Sequence, residues 1–188
     1  VSEEKRKDPS HWLDLILEQQ VTVWNSVPAQ MKMLMMFLEG KQETLPDLRW
    51  VLMSGDWIPV DLPKHIATHC PNARQISLGG ATEAAIWSIY YPIQAEKTYR
   101  ESIPYGKPLS NQRFYILDRN LQEVPDGVIG ELFIAGEGLA LGYHNDTVLS
   151  NQKFFYHAGL KQRLYATGDL GRYEADGTII FMGRADHQ

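Results

Sequence analysis

The stretch "LGGATEAAIW", residues 78–87, sets two glycines, a threonine and a glutamate directly after the apolar run "RQIS". Glycine has no Cβ, so a ligand can approach its backbone closely. Gly79 and Gly80 are therefore candidate binding residues. Thr82 offers a hydroxyl to a phosphate oxygen, and Glu83 offers the hard oxygen that Mg²⁺ prefers. The same residues also suit an ordinary helix start, with Thr82 as cap and Glu83 complementing the dipole. A second carboxylate, Asp169, lies in "LYATGDL" (164–170) and can accept both protons of a ribose 2′,3′-diol; a polar turn would use it equally well. "FMGRADHQ" (181–188) contributes Arg184, a planar donor for ribose or phosphate, or else a solvated surface arginine. "GEGLALG" (136–142) has the glycines of a phosphate loop without the strand–turn–helix setting such a loop needs, and reads as a β-turn.

These residues need elements to hold them. With 188 residues, 44% of them hydrophobic, the chain can bury a sizeable core in one domain or two small ones. The net charge of −5 gives no bulk attraction to nucleic acid or to an anionic membrane. Cys70 is the single cysteine, which excludes an intrachain disulfide and a cysteine-cluster metal site and fits a reducing, cytoplasmic setting. The six histidines lack ligand spacing, and no Ser/His/Asp arrangement is legible. No apolar run approaches the ~20 residues that span a bilayer. The chain does not begin with methionine, so a piece of a longer protein is expected.

The first half alternates helix and strand. "PSHWLDLILEQQ" opens with Pro9 and Ser10 as capping residues and turns Trp12, Leu13, Ile16 and Leu17 to one face. "VTVWNSV", "LRWVLMSG" and "RQISL" read as strands. Met31, Leu34, Met35 and Leu38 follow the spacing of a helix packed on a sheet, and "PVDLPKHIATHC" is a further, weaker helix. The fold class is α/β, with a parallel sheet and packed helices over residues 1–98. From 99 to 188 the pattern is short strands separated by turn signals, at Asp118-Arg119-Asn120, Pro125-Asp126-Gly127 and Asp176-Gly177. That half reads as a small antiparallel, β-barrel-like subdomain without helices.

The order of "GGATEAAIW", "GELFIAGEGLALGYHNDTVLSNQKFF", "RLYATGDLGRY" and "GRADHQ" resembles the adenylation domains of nonribosomal peptide synthetases. These belong to the adenylate-forming superfamily, with acyl-CoA ligases and luciferases. The resemblance covers essentially the whole chain, and the "GELxIxGxGLAxGY" plus "YxTGDLxR" combination is highly specific. It implies an amino-acid ligase that uses ATP and Mg²⁺ to make an aminoacyl-AMP and pyrophosphate. The aminoacyl group then passes to phosphopantetheine on a peptidyl carrier domain, in some systems beside a condensation or heterocyclisation domain. Such enzymes build siderophores and peptide antibiotics. By the resemblance, Thr82 contacts phosphate, Glu83 holds Mg²⁺, Asp169 binds the ribose hydroxyls, Arg184 assists near the ribose, and Asp186 is the hinge of a following domain.

The sequence departs from the family pattern where Gly79 and Ala81 replace an aromatic residue and a proline. No ring at position 79 can stack on adenine, and Phe181 is available to help cover the base. The resemblance also implies a substrate pocket lined by Asn25, Leu52, Ser54, Leu78, Ile86 and Trp87, a set similar to that of cysteine-activating domains. Trp87 and the leucines would shorten the cavity, and Asn25 and Ser54 would offer polar edges near a thiol. A methylene-sized difference is worth only ~1–3 kcal/mol, so size alone rejects serine or alanine weakly. The upstream phosphate loop, the acidic residue for the substrate amine and the C-terminal catalytic lysine are missing, so the isolated chain is expected to be inactive. The rival readings are an aryl-acid or acyl-CoA ligase and a non-catalytic docking module.

Overall fold

A computed structural model describes residues 5–185. The chain folds as two compact units that it enters alternately. The first holds the residues up to Ser77 with Pro92–Ile103; the second holds Leu78–Tyr91 with the residues from Pro104 on.

In the first unit, β1 (Val23–Ser26), β2 (Trp50–Met53) and β3 (Arg74–Gly79) form a parallel ladder. They are joined by α2 (Pro28–Lys41) and α3 (Leu62–His69), with α1 (Pro9–Glu18) ahead of β1. Because the strands are added in sequence order, right-handed crossovers carry both helices to the same face. Residues facing them are sealed: Val51 and Met53 on β2, and Met31, Leu34, Met35 and Leu38 on α2, are all at most 1% exposed. The methionines are thus core packing, as their spacing predicts. The α1 expectation needs two corrections. Asp8, not Pro9 or Ser10, is the cap, its carboxylate accepting the Ser10 N–H at 2.9 Å, which leaves Pro9 at the first helical position where its missing N–H costs nothing. Leu17 is 53% exposed, because it sits just past the buried stripe of Trp12, Leu13 and Ile16. Burial pushes the Cys70 thiol up to about 12, which makes it an inert core residue.

The second unit is mostly antiparallel. β4 (Ile89–Ile93) pairs with β5 (Lys107–Pro108) through Ile89 and Tyr90. A second sheet has the order β10-β9-β7-β6, from β6 (Gln112–Leu117), β7 (Gly130–Gly136), β9 (Gln162–Tyr173) and β10 (Ile179–Arg184), with β8 (Phe154–His157) also on β9. Among the described residues no ladder joins β6 to β10, so the sheet stays open where a barrel-like closure was expected. The expected all-β character is also incomplete, since α4 (Thr147–Lys153) forms where the Asp146 carboxylate caps the Leu149 N–H at 2.9 Å. The hairpin corners lie where the turn residues put them. Asp118 accepts the backbone N–H groups of Asn120 and Gln122, and Asp176 that of Thr178. One core cluster combines Ile116, Leu132, Ile134, Phe154, Tyr165 and Ile179 with Ala84 and Ile89. Ala84 is fully buried, and this anchors the turn that begins at the end of β3.

Candidate functional site

β3 ends at Gly79, and a single 3-10 turn follows at Thr82–Ala84. Gly80 has φ +138, and a Cβ there would meet the Ile86 carbonyl oxygen at 2.6 Å and the Ser88 nitrogen at 2.7 Å. Only glycine fits. The Gly80 N–H donates to the phenol oxygen of Tyr105 at 2.8 Å. The space beside Gly79 is taken by the same ring, since a Cβ at 79 would lie 1.8 Å from a Tyr105 ring carbon. Thr82 is exposed and caps nothing; the turn's cap position is Ala81, with no side-chain hydrogen bond.

Glu83 is held on both its backbone and its side chain. Its carbonyl accepts the Ala140 N–H at 2.8 Å, and its carboxylate Oε1 accepts the Tyr143 hydroxyl at 2.6 Å. Burial alone would raise its pKa. Hydrogen bonds from Tyr143, its own backbone N–H and Tyr165, with the Lys153 charge, outweigh burial and hold it below the ordinary carboxylate value. Glu83 is therefore an ionised, oriented, hard oxygen donor at neutral pH. The two phenols are pushed the other way, first by burial, then at Tyr143 by its bond to Glu83 and at Tyr165 by its bonds to Tyr143 and Glu83, so they stay protonated as donors.

Asp169 lies inside β9, not in a turn, directly opposite Arg184 on β10. The hairpin through Asp176 and Gly177 brings the two motifs into register, and Arg184 Nη1 donates to Asp169 Oδ1 at 3.1 Å. The Asp169 N–H donates to Thr167 Oγ1 at 2.9 Å, and that hydroxyl donates to the Leu132 carbonyl at 2.6 Å. Asp169 is close enough to Tyr105 for its charge to add to the effect of burial in raising the Tyr105 phenol. Phe181 packs on the same ring, with centroids 5.6 Å apart. Tyr105 thus touches the Gly79–Gly80 turn and Phe181, and it feels the charge of Asp169. No sequence motif gives Tyr105, Tyr143 or Tyr165 a role. Tyr143 and Tyr165 stand inside the quoted motifs, and no local pattern marks a phenol such as Tyr143 aimed at a residue 60 positions away.

Ala85 and Ile86 both have positive φ, at 59° and 68°. For β-branched Ile86 this is a strained conformation, held by its N–H donating to Ala81 O at 3.0 Å and by the Ser88 hydroxyl donating to Ala84 O at 2.8 Å. Ile86 is 64% exposed, while Leu78 and Trp87 are half-buried. In the first unit, Asn25 and Leu52 are ladder partners on the face away from the helices, with Ser54 two residues on. Asp186 lies outside the described residues. The "GEGLALG" segment is a turn after β7, with Glu137 N–H on Asn111 O and Leu139 N–H on Gly136 O. Among the described residues no group of three or more His, Cys, Asp or Glu could hold a metal, and no helix is long and apolar enough to cross a membrane. A lone carboxylate such as Glu83 suits Mg²⁺, which usually keeps several waters and takes its remaining ligands from substrate phosphates.

The family profile described as "AMP-binding enzyme" matches residues 1–144. The chain is 52% identical over 182 residues to pyochelin synthetase PchF of Pseudomonas aeruginosa, covering 96% of this chain and 10% of that protein. It is 48% identical over 177 residues to bacitracin synthase 1 of Bacillus licheniformis, covering 91% of this chain and 3% of that one. The chain therefore spans a tenth or less of the length of these two curated relatives. Among solved structures, the nonribosomal peptide synthetase FmoA3 (S1046A) in its α-methyl-L-serine-AMP bound form matches with TM-score 0.92 and 43% identity, over 98% of this chain and 21% of that one. The AMPPNP bound form of FmoA3 matches with the same TM-score over 96% of this chain and 20% of that one. On the profile match, which covers well over half its length, the chain belongs to the AMP-binding enzyme family.

Proposed function

We propose that this chain is the nucleotide-holding part of an adenylation domain in a nonribosomal peptide synthetase. The parent protein would join an amino acid to AMP with release of pyrophosphate, then load it on the phosphopantetheine of a peptidyl carrier domain. The observation that carries the reading is the Tyr105-centred cluster. It places a glycine turn ending in an oriented carboxylate, an acid–arginine pair and two aromatic rings in one compact unit. A nucleotide offers the matching groups in the same order: phosphates, ribose diol and base.

In this reading Asp169 accepts from the ribose hydroxyls, and Arg184 fixes the carboxylate and donates beside the sugar. Gly80 and Thr82 face the phosphates. Glu83 would hold Mg²⁺, which when bound neutralises phosphate charge as it shifts during attack on the α-phosphorus. The protein's part in the first step is alignment and preorganised charge.

The amino acid proposed is L-cysteine. Asn25, Leu52, Ser54, Leu78, Ile86 and Trp87 are the residues assigned to its pocket, beside a condensation or heterocyclisation partner. The FmoA3 neighbour, whose bound adenylate carries α-methyl-L-serine, supports a small side chain with one polar β-substituent. Amino-acid-dependent pyrophosphate exchange across the twenty amino acids, on the full-length protein carrying this chain, tests both levels. Preference for cysteine over serine and alanine is expected. Preference for a bulky or charged residue rejects the cysteine assignment, and no exchange with any amino acid rejects the ligase.

A further inference from the structure

Tyr105 centres the cluster described above, and its own contacts are unusual. Its ring sits where any side chain on residue 79 would begin, so a Tyr105 ring and a residue larger than glycine at 79 exclude each other. The ring is pinned at both ends. Its backbone N–H donates to Ile179 O at 2.9 Å, and its phenol oxygen accepts the Gly80 N–H at 2.8 Å. Phe114 meets it edge-on, with centroids 6.1 Å apart, and Phe181 lies at 5.6 Å with a 44° tilt. Even so, Tyr105 is only partly buried. The two rings are too close to admit a base between them, so they present one continuous angled aromatic surface. Asp169 stands near enough to act electrostatically on the phenol. In a nucleoside the base and the ribose diol are neighbours, and here Phe181 and the Arg184–Asp169 pair share the β9–β10 ladder, so an aromatic surface and a carboxylate able to accept from a diol are neighbours too.

We propose that Tyr105 is the main aromatic wall for the purine, delivered from the segment before β5 into the space Gly79 leaves empty, with its phenol oxygen fixing the Gly80 turn. This deepens the nucleotide reading above and rests on it. A ring immobilised before binding loses little freedom when the base arrives, which favours affinity. Gly79 then leaves space for another residue's ring, and its own backbone need not touch the nucleotide.

The test is calorimetric titration of AMP into the full-length protein carrying this chain, with KM values for ATP and for the amino acid from pyrophosphate exchange. Tyr105→Leu keeps bulk and removes the π face; it should weaken AMP at least tenfold and raise the ATP KM in parallel, with the amino-acid KM changing less than threefold. Tyr105→Phe keeps the face and loses only the phenol, and should stay within a few-fold of wild type. Gly79→Tyr combined with Tyr105→Ala returns a ring to the same space and should recover affinity over Tyr105→Ala alone. If wild type binds AMP and Tyr105→Leu binds it equally, the inference fails. It also fails if Tyr105→Phe is as weak as Tyr105→Leu, or if both KM values rise together. If wild type does not bind AMP, the nucleotide reading itself fails.

Discussion

The two units use their polar side chains differently. In the first, they close loops onto backbone: the Gln75 amide donates to Pro63 O, Asn72 to Pro46 O, and a His69 ring nitrogen meets Glu43 O. In the second, the Tyr143–Glu83 and Arg184–Asp169 bonds join sequence-distant residues side chain to side chain. Loop closure needs one partner and serves stability. A network of groups that hold each other's orientation costs conformational freedom without burying much surface, and such networks are what a binding site requires. Towards the nucleotide, the first unit reads as scaffold and the second as instrument.

The sharpest way to break this contrast is a core truncation in the first unit. Leu34 is fully buried on α2, and Leu34→Ala should cost about 2–5 kcal/mol in denaturant unfolding. Where the variant is still folded, AMP affinity should hold within threefold. A large affinity loss there would erase the division of labour. Next comes the Glu83 network. Tyr143→Phe and Glu83→Gln should each cost about 1 kcal/mol of stability, because the bond involves a charge but lies in a partly exposed place. The double variant should cost less than the sum, and additivity in that cycle would show that the 2.6 Å contact does not couple the two residues.

A smaller effect is expected at Ile86. An Ile→Gly change normally destabilises, but here relief of a strained φ of 68° offsets the added freedom of the unfolded chain. Ile86→Gly should fall within about 1 kcal/mol of wild type by thermal melting. Smallest is the acid limb of stability. The Gln122 N–H bond, joined by that of Asn120, holds Asp118 below its ordinary value of 3.8 against the opposing effect of desolvation. The unfolded chain therefore binds the proton first as pH falls. The contribution of Asp118 is complete above pH ~4 and fades as pH drops through the lower folded value. Asp118→Asn should flatten the stability profile only below pH ~4, and a change near neutrality would contradict this.

Much of the scaffold was legible because its signals are local. The Met31-Leu34-Met35-Leu38 spacing, the β-branched runs, and the Asp118 and Asp176 corners each act within a few residues and appear where they were read. Helix α4 was hidden because its apolar residues are unburied and only the Asp146 cap announces it. Strand pattern alone carries no closure information, so it suits a barrel-like subdomain as well as the open sheet found. Asp169 and Arg184 stand in separate motifs; their pairing follows from a hairpin register with a bulge between Phe181 and Gly183, which composition does not encode. The three tyrosines are illegible in the sequence for the same reason, since each reaches a partner that only the tertiary fold makes adjacent.

The central claim is that the second unit's cluster holds one nucleotide. The most direct measurement is AMP titration of the full-length protein carrying this chain, comparing wild type, Asp169→Asn and the exposed first-unit change Glu39→Gln. The account predicts a weakening of tenfold or more for Asp169→Asn and none for Glu39→Gln. Equal affinity in all three proteins would contradict it.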